Sequence, residues 1–192
     1  MKILTLLFTF AFTAFTMIPE VATVNTSESS ITWTAKKVTG QHHGKVPITT
    51  ATLDYQNGKI LGGSFEMDMT SLTVEDITDP GMNKKLTDHL KSDDFFSVAN
   101  HGKSTFTITN AKTSNGKDYQ LTGDLTIKNI TKPVTFPATV AVNGGIITAT
   151  GKLTFDRTDY DIKFRSGSYF ENLADKMIYD DVELDVKIIA SE

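Results

Sequence analysis

The sequence contains no cysteine in its 192 residues. This absence excludes a disulfide framework, a zinc–thiolate site and a cysteine nucleophile. It also excludes the lipid anchor of a bacterial lipoprotein, because that anchor needs an acylated cysteine. With 39% hydrophobic residues, the composition predicts one globular domain that buries a sizeable core.

An excess of positive charge is also missing. The formal net charge is −4 and the basic residues are scattered along the chain, which argues against binding of nucleic acid. Nothing in the sequence resembles the nucleophile elbow of a hydrolase or a glycine loop that cradles phosphate. The sequence therefore favours a binding or structural protein over an enzyme.

A long apolar run occurs only at the start of the chain. Lys2 is followed by an apolar, threonine-containing stretch up to Met17, and Pro19 and Glu20 end it. This run is too short and too rich in threonine for a membrane span. We therefore predict a secretory signal peptide in residues 1–22 rather than a retained anchor, with cleavage between residues 14 and 22. Export without cysteine suits a bacterial periplasm or the outside of the cell.

The central stretch, residues 121–142, alternates between apolar and polar side chains. Leu121, Gly123, Leu125 and Ile127 share one face, which is the period of a strand with one buried side. Residues 129–132 interrupt the alternation, and a second alternating run begins after Pro133. We predict two strands joined by a tight connection, both with apolar side chains directed at one interior.

Alternating runs before and after this stretch predict further strands. Three asparagine–glycine turns join them, at Asn57, Asn115 and Asn143. Residues 38–50 are predicted to form a loop or a broken strand, and residues 83–94 form the single convincing helical interval. The pattern indicates an all-β antiparallel meander, which closes into a barrel or folds into a sandwich. We favour the barrel, because every strand has one apolar face.

The histidines invite a metal-binding interpretation. Adjacent histidines such as His42 and His43 point to opposite faces of an extended chain and chelate poorly together. His89 and His101 have no neighbouring ligands at metal spacing. We predict that all four are solvated loop residues and that the protein has no metal site.

Five segments, in order, resemble the YceI-like family of periplasmic polyisoprenoid-binding proteins. Residues 29–33 (SSITW) are similar to its opening strand, and residues 86–96 (LTDHLKSDDFF) to its helix and the exit from it. Residues 123–134 (GDLTIKNITKPV) resemble its central motif. Residues 155–160 (FDRTDY) and 178–184 (IYDDVEL) resemble the last two sequence motifs of the family. Together these segments span the predicted mature domain, residues 23–192.

The resemblance implies an eight-stranded lipocalin-like barrel with one short helical insertion. Its elongated apolar cavity would hold a polyisoprenoid or an isoprenoid quinone, for storage or transport. The implied ligand is this lipid, without any other cofactor. The implied partners include no nucleic acid, and the processed chain would have no stable membrane span. A homodimer is left open.

The predicted ligand-binding residues form an apolar wall on the inward faces of the strands. They are Trp33, Phe65, Met67, Phe106, Ile108, Leu125, Ile127, Phe136, Leu153 and Phe155. The same residues would pack any filled barrel core, so a structural surface protein remains an alternative. So does an enzyme acting on an apolar substrate in the cavity.

Arg157 and Arg165 are the two arginines of the chain and lie eight residues apart. A guanidinium group suits a pyrophosphate or quinone head group at the mouth of a barrel. It suits equally well an internal ion pair with Asp156, Asp159 or Asp161. Both arginines are therefore head-group candidates, and for Arg157 the internal pair is favoured.

Overall fold

The computed structural model describes residues 21–192, so nearly all of the predicted signal peptide lies outside the described part of the chain. Ten strand segments follow in order: β1 (Val21–Val24), β2 (Ser30–Lys37), β3 (Gly40–Lys45), β4 (Ile48–Gln56), β5 (Lys59–Asp68), β6 (Lys103–Thr113), β7 (Asp118–Ile127), β8 (Ile130–Asn143), β9 (Ile146–Asp156) and β10 (Ile178–Ser191). Within the described residues there is one α-helix, α1 (Pro80–Lys91), and 3-10 turns at Met69–Ser71, Arg157–Tyr160 and Ala174–Lys176.

The strands form one antiparallel sheet that closes on itself through β1. On one side β1 pairs with β10, where Val24 lies opposite Ala190. On the other side it pairs with β4, where Ala22 lies opposite Leu53. Segments β1 and β2 are successive parts of one barrel strand, as are β3 and β4, so the ten segments make eight strands. The predicted eight-stranded antiparallel barrel with one helix is confirmed.

The β-hairpin turns have the backbone conformations that two-residue turns require. Asn57 and Gly58 have φ angles of 51° and 76°, as in a type I′ turn. The central connection is shorter than predicted, because only Lys128 and Asn129 turn, with φ angles of 51° and 60°. Strand β8 then begins at Ile130 and contains Pro133.

The two neighbours of strand β8 pair with different parts of its length. Residues 130–139 pair with β7, whereas residues 138–143 pair with β9. Pro133 and Pro137 lie in the half that pairs with β7 alone. Proline has no N–H to donate, and on the side facing β9 no hydrogen-bond ladder is present to be interrupted. Beyond the pair of Ala138 with Gly151, β8 and β9 are no longer hydrogen-bonded to each other.

The helix begins and ends three residues earlier than the predicted interval 83–94. Asp79 is its N-cap, since its carboxylate accepts a hydrogen bond of 2.8 Å from the backbone N–H of Met82. Pro80 occupies the first helical position, which suits its fixed φ angle. The interval 38–50, predicted as a loop or broken strand, is ordered as β3 and the start of β4, separated by Val46 and Pro47.

Candidate functional site

The barrel interior contains two neighbouring apolar cavities. Lobe A, of about 70 Å³, lies towards the hairpin turns and is lined by residues that include Leu53, Ile60, Ile108, Leu121, Ala149 and Ile188. Lobe B, of about 100 Å³, lies under α1, and its lining includes Val46, Leu72, Leu90, Phe95, Phe96 and Val182. Ile31, Met67 and Leu184 border both lobes, so the two cavities adjoin, and together they are called the channel.

Nine of the ten predicted wall residues line these lobes. Phe65, Met67, Phe106, Ile108, Phe136 and Leu153 border lobe A, and Trp33, Met67, Ile127 and Phe155 border lobe B. Leu125 is buried, with 2% of its surface exposed, but it borders neither lobe. The alternation of β7 identified Leu125 as inward-facing without revealing that its neighbours fill the space around it. Contact between the other nine and a ligand stays a prediction.

Two glycines make room for the aromatic rings of lobe A. A side chain on Gly123 would meet the ring of Phe106 at 2.4 Å, and one on Gly151 would meet the ring of Phe136 at 3.0 Å. Both rings therefore reach over the backbone of a neighbouring strand. Phe106 contacts Phe136 in turn, with 5.7 Å between ring centroids. With any larger residue at these two positions, the rings would have to move. The glycines thus let the two rings lie against the barrel wall and leave lobe A open beside them.

The end of lobe B is closed by the helix and by a crossing segment of backbone. The indole N–H of Trp33 donates a hydrogen bond of 3.1 Å to the carbonyl of Thr73. That carbonyl would lie 1.9 Å from a Cβ atom on Gly44, so only glycine fits there. Leu90, near the end of α1, and Phe95, four residues beyond that end, also line this lobe. Trp33 is therefore held in one orientation against the cavity.

Arg157 is a buried internal cross-link. Its guanidinium donates hydrogen bonds to the carbonyls of Ile162 (2.8 Å), Ile178 (3.1 Å) and Tyr179 (3.1 Å). It also forms an ion pair of 3.1 Å with Asp180. Burial lowers the pKa of the guanidinium from its usual value, and Asp180 opposes that shift. The favoured internal pair is present, but the carboxylate comes from β10 and not from Asp156, Asp159 or Asp161.

Arg165 and the histidines lie outside the two lobes. The prediction that all four histidines are solvated loop residues is wrong, because His42 and His43 lie in β3 and His89 lies in α1. The exposed guanidinium of Arg165 lies over the ring of Phe164, 5.0 Å from its centroid. His89 packs between Phe164 and Phe95 and contacts Asp94 through Nε2 at 2.8 Å. Among residues 21–192, no three potential metal ligands converge on one point. A head-group role for Arg165 stays a prediction.

A model of one protein family accounts for nearly the whole described chain. The family is described as the YceI-like domain, and its model matches residues 23–190. The chain belongs to the YceI-like family. The family inferred from five short segments is thereby confirmed. The match also spans every element that borders lobes A and B, so the cavity is part of the family domain.

Curated relatives of this YceI-like chain align over shorter segments. Protein YceI of Escherichia coli (strain UMN026) is 45% identical over 56 residues, which is 29% of each chain. A UPF0312 protein of Pectobacterium carotovorum is 43% identical over 56 residues with the same coverage. The aligned part is thus less than a third of either relative's length.

Solved structures share the fold over most of the chain. BcnA of Burkholderia cenocepacia matches with a TM-score of 0.72 at 24% identity, covering 88% of this chain and 99% of BcnA. A polyisoprenoid binding domain from Saccharophagus degradans matches with a TM-score of 0.64 at 10% identity, covering 91% and 99%. At these identities the comparisons establish a common YceI-like barrel. None of the helices within residues 21–192 is both long and apolar enough to cross a membrane.

Lys132 is a charged residue that the sequence reasoning missed. It pairs with Leu125 across β7 and β8, and register partners share a face of the sheet, so it belongs to the inner face. It is half-buried, between Ile130 and Val134 on the same face, and forms no ion pair with another described residue. The sequence does contain a sign of this position. Lys132 falls on the same side of the alternating pattern as the apolar residue Phe136, so the pattern itself places the lysine on the inner face.

Tyr160 of the YceI-like chain carries a buried hydroxyl that has no hydrogen-bond partner among residues 21–192. Only 1% of its surface is exposed, and its ring packs edge-on against Phe155 at 5.5 Å. Burial, with a smaller effect of Asp159, raises the pKa of Tyr160 from 10.0 to about 12. The folded state therefore favours the neutral phenol. Below pH 10 the phenol is neutral in the unfolded chain as well, so the folded protein keeps its full stability there.

We therefore expect the folded protein to lose stability as the pH rises from 10 towards 12. A shift of this size corresponds to about 2–3 kcal/mol of unfolding free energy. In Tyr160→Phe that part of the loss should vanish, and stability at pH 7 should stay equal or rise, since an unpaired buried hydroxyl is removed. Denaturant unfolding of both proteins at pH 7, 10 and 11.5 measures the difference. Parallel losses in both proteins would contradict the assignment.

Proposed function

We propose that this YceI-like protein is an exported binding protein that holds an elongated apolar lipid inside its barrel. The favoured ligand is a polyisoprenoid or an isoprenoid quinone, held for storage or transport. The observation that carries the proposal is the channel formed by lobes A and B. Thr150 is the one polar residue on the lining of lobe A within the described residues, and it belongs to the exposed face of β9. Each buried methylene contributes roughly 0.8 kcal/mol, so a few isoprene units suffice for tight binding.

The chemistry of the lining supports binding rather than catalysis. Among the described residues, the single titratable side chain that borders either lobe is Arg157. Its guanidinium is engaged by three carbonyls and by Asp180. General acid–base catalysis needs a positioned group that exchanges a proton near neutral pH, and a paired arginine does not provide one. The enzyme alternative is therefore disfavoured.

The comparisons supply independent support for a lipid ligand. The solved neighbour from Saccharophagus degradans is described as a polyisoprenoid binding domain, and this chain shares its fold. The apolar start of the chain supports export to the periplasm or beyond the cell. Val21 and Ala22 pair with Asp54 and Leu53, and Ala22 is buried, so cleavage before Val21 would leave the domain intact.

Native mass spectrometry of protein released from the periplasm without detergent tests both parts of the proposal. The mass of the chain reports whether its first twenty or so residues have been removed. A second series of peaks, displaced by one lipid mass, reports an occupied channel, and lipid extraction then identifies the ligand. Detection of the intact chain on membranes would refute export. Lipid-free protein from cells that contain isoprenoids would refute the carrier function and favour a filled core.

A further inference from the structure

The wall of the barrel is discontinuous between β8 and β9. Their register pairs end at Ala138 and Gly151, although β8 extends back to Ile130 and β9 extends on to Asp156. If the register continued, Thr135 would lie opposite Thr154, because the paired residue numbers sum to 289 in every pair. No such pairs form. We call the unpaired stretch, residues 130–137 facing residues 152–156, the β8–β9 gap.

The inner channel and the outer surface approach each other at the closed end of this gap. An outer groove of about 510 Å³ lies there, and its lining includes the polar residues Ser30, Thr32, Thr139, Lys152, Asp185 and Lys187. Ala138, Thr150, Gly151 and Val186 border both this groove and lobe A. Because Gly151 has no side chain, only its backbone and the ring of Phe136 separate the two spaces at this point.

A single aromatic ring covers the thin part of the wall. The ring of Phe136 lies over Gly151, with ring atoms 3.0 and 3.2 Å from the position of a Cβ atom. Phe136 belongs to the unpaired half of β8, so its backbone is held by β7 alone. Displacement of this ring would open lobe A to the β8–β9 gap without breaking a backbone hydrogen bond of the β8–β9 ladder.

Both ends of the barrel offer a less direct route. At one end Leu90 and Phe95 cover lobe B, as described above. At the other end the buried backbone N–H of Ile60 donates a hydrogen bond of 3.2 Å to the hydroxyl of Tyr119. The neighbouring hairpin turns at Gly58 and Gly116 approach each other there, because a Cβ atom on Gly116 would lie 3.5 Å from the carbonyl of Gly58. Strands β5 and β6 are also unpaired beyond Gly63 and Ile108, and this is the stretch that the bond between Ile60 and Tyr119 spans. Passage between strands where they are paired would break ladder hydrogen bonds, which is costly in an apolar interior.

The β8–β9 gap also contains the inward-facing cation noted above. Lys132 lies on the unpaired half of β8, on the same face as Phe136. Lys132 is half-buried and has no carboxylate partner among residues 21–192, so an anionic group close by would be favourable. The apolar wall of lobe A and one cation at the gap together match an amphiphile with an anionic end.

We propose that the lipid passes sideways into the barrel through the β8–β9 gap and that its anionic end stays there, in contact with Lys132. This inference rests on the proposed lipid-binding function and adds a route and a head-group class to it. The head group would be a phosphate, diphosphate or carboxylate, and the isoprenoid chain would extend past Phe136 into lobe A.

A reversible cross-link across the β8–β9 gap tests the route. The chain has no cysteine, so Thr135→Cys with Thr154→Cys provides a unique pair of thiols on the outer surface. A short bis-methanethiosulfonate reagent joins them, and reduction restores the open state in the same protein. The control joins Thr52→Cys to Ser64→Cys, which are exposed register partners on β4 and β5. Geranylgeranyl diphosphate is the probe, and the fluorescence of Trp33, the one tryptophan, reports binding.

In stopped-flow mixing, the cross-link across the gap should slow both uptake and release by about tenfold or more. The equilibrium Kd should stay nearly the same, since a gate alters rates and not the bound state. The control cross-link should leave the rates unchanged, and reduction should restore them. Unchanged rates in the cross-linked gap would overturn the sideways route. Failure of the unmodified protein to bind any isoprenoid would refute the proposed function itself.

A charge substitution tests the head-group assignment. Lys132→Met should weaken binding of geranylgeranyl diphosphate by about tenfold or more, the effect of losing one hydrogen bond to a charged group. Binding of geranylgeraniol, which has the same chain without the charge, should be unchanged. Lys132→Arg should retain affinity for the diphosphate, and Lys112→Met, on the exposed side of β6, should affect neither ligand. Equal losses for both ligands, or none, would overturn the role of Lys132.

Discussion

Replacement of Arg157 by methionine is expected to lower the free energy of unfolding by about 3–5 kcal/mol, the cost of breaking a buried ion pair by removing one partner. Three carbonyl groups and Asp180 would lose the donor that now satisfies them. Methionine keeps the aliphatic part of the side chain, so the wall of lobe B is preserved. Urea denaturation followed by the fluorescence of Trp33 measures the change.

Arg165→Met is the matched control for this experiment. Arg165 is exposed and lies in the same segment between β9 and β10, so its replacement should change stability by no more than about 0.5 kcal/mol. A second variant, Asp180→Asn, removes the charge but keeps an oxygen acceptor, and should fall between the two. A loss of less than about 1 kcal/mol in Arg157→Met would show that the cross-link contributes little, because a buried pair of this kind is expected to cost more when it is broken.

The second large effect is the loss of ligand when lobe A is filled. Ala149 borders lobe A on β9, and Ala149→Leu would extend an apolar side chain into a space of about 70 Å³. We expect the melting temperature of the lipid-free protein to stay equal or rise, since the added methyl groups enter existing space. Binding of geranylgeraniol, measured through Trp33, should become undetectable because the chain no longer fits.

The control variant for this prediction is Leu125→Phe. Leu125 faces inward but borders neither lobe, so a larger side chain must displace packed neighbours at a cost of about 1–3 kcal/mol. The two variants should therefore diverge: Ala149→Leu loses ligand and keeps stability, and Leu125→Phe loses stability. A marked loss of lipid-free stability in Ala149→Leu would mean that lobe A is not free to accept a chain.

The barrel could be predicted from the sequence because strand periodicity is a local signal. Alternation places Leu121, Phe136 and Leu153 on one face whatever their partners are, and Asn57–Gly58 specifies a tight turn by its own conformational preference. The helix boundary was less accessible, because Asp79 acts as a cap only if the backbone of Met82 folds onto it. Local chemistry thus predicts which elements form better than it predicts the residues at which they begin and end.

The site depended on long-range geometry, and here the sequence was less informative. Asp180 lies 23 residues from Arg157 and becomes its partner only when β10 packs beside β9, whereas the closer aspartates remain elsewhere. Leu125 and Ile108 follow the same alternation, yet only Ile108 borders a cavity. The β8–β9 gap also has no local signal, because Ala138 and Gly151 do not themselves indicate where pairing ends. Such features follow from how strands are offset in the closed sheet.

The pairing of β1 with β10 has a consequence for how the chain folds. Val24 and Ala190 are opposite each other although 166 positions separate them, so the barrel closes only when both ends of the domain are present. Contacts this distant in sequence carry a large loop-closure entropy and make folding slow. Until β10 docks, β9 and β1 each present a free strand edge that could pair with another molecule. The last strand of the chain is therefore what turns an aggregation-prone sheet into a closed barrel.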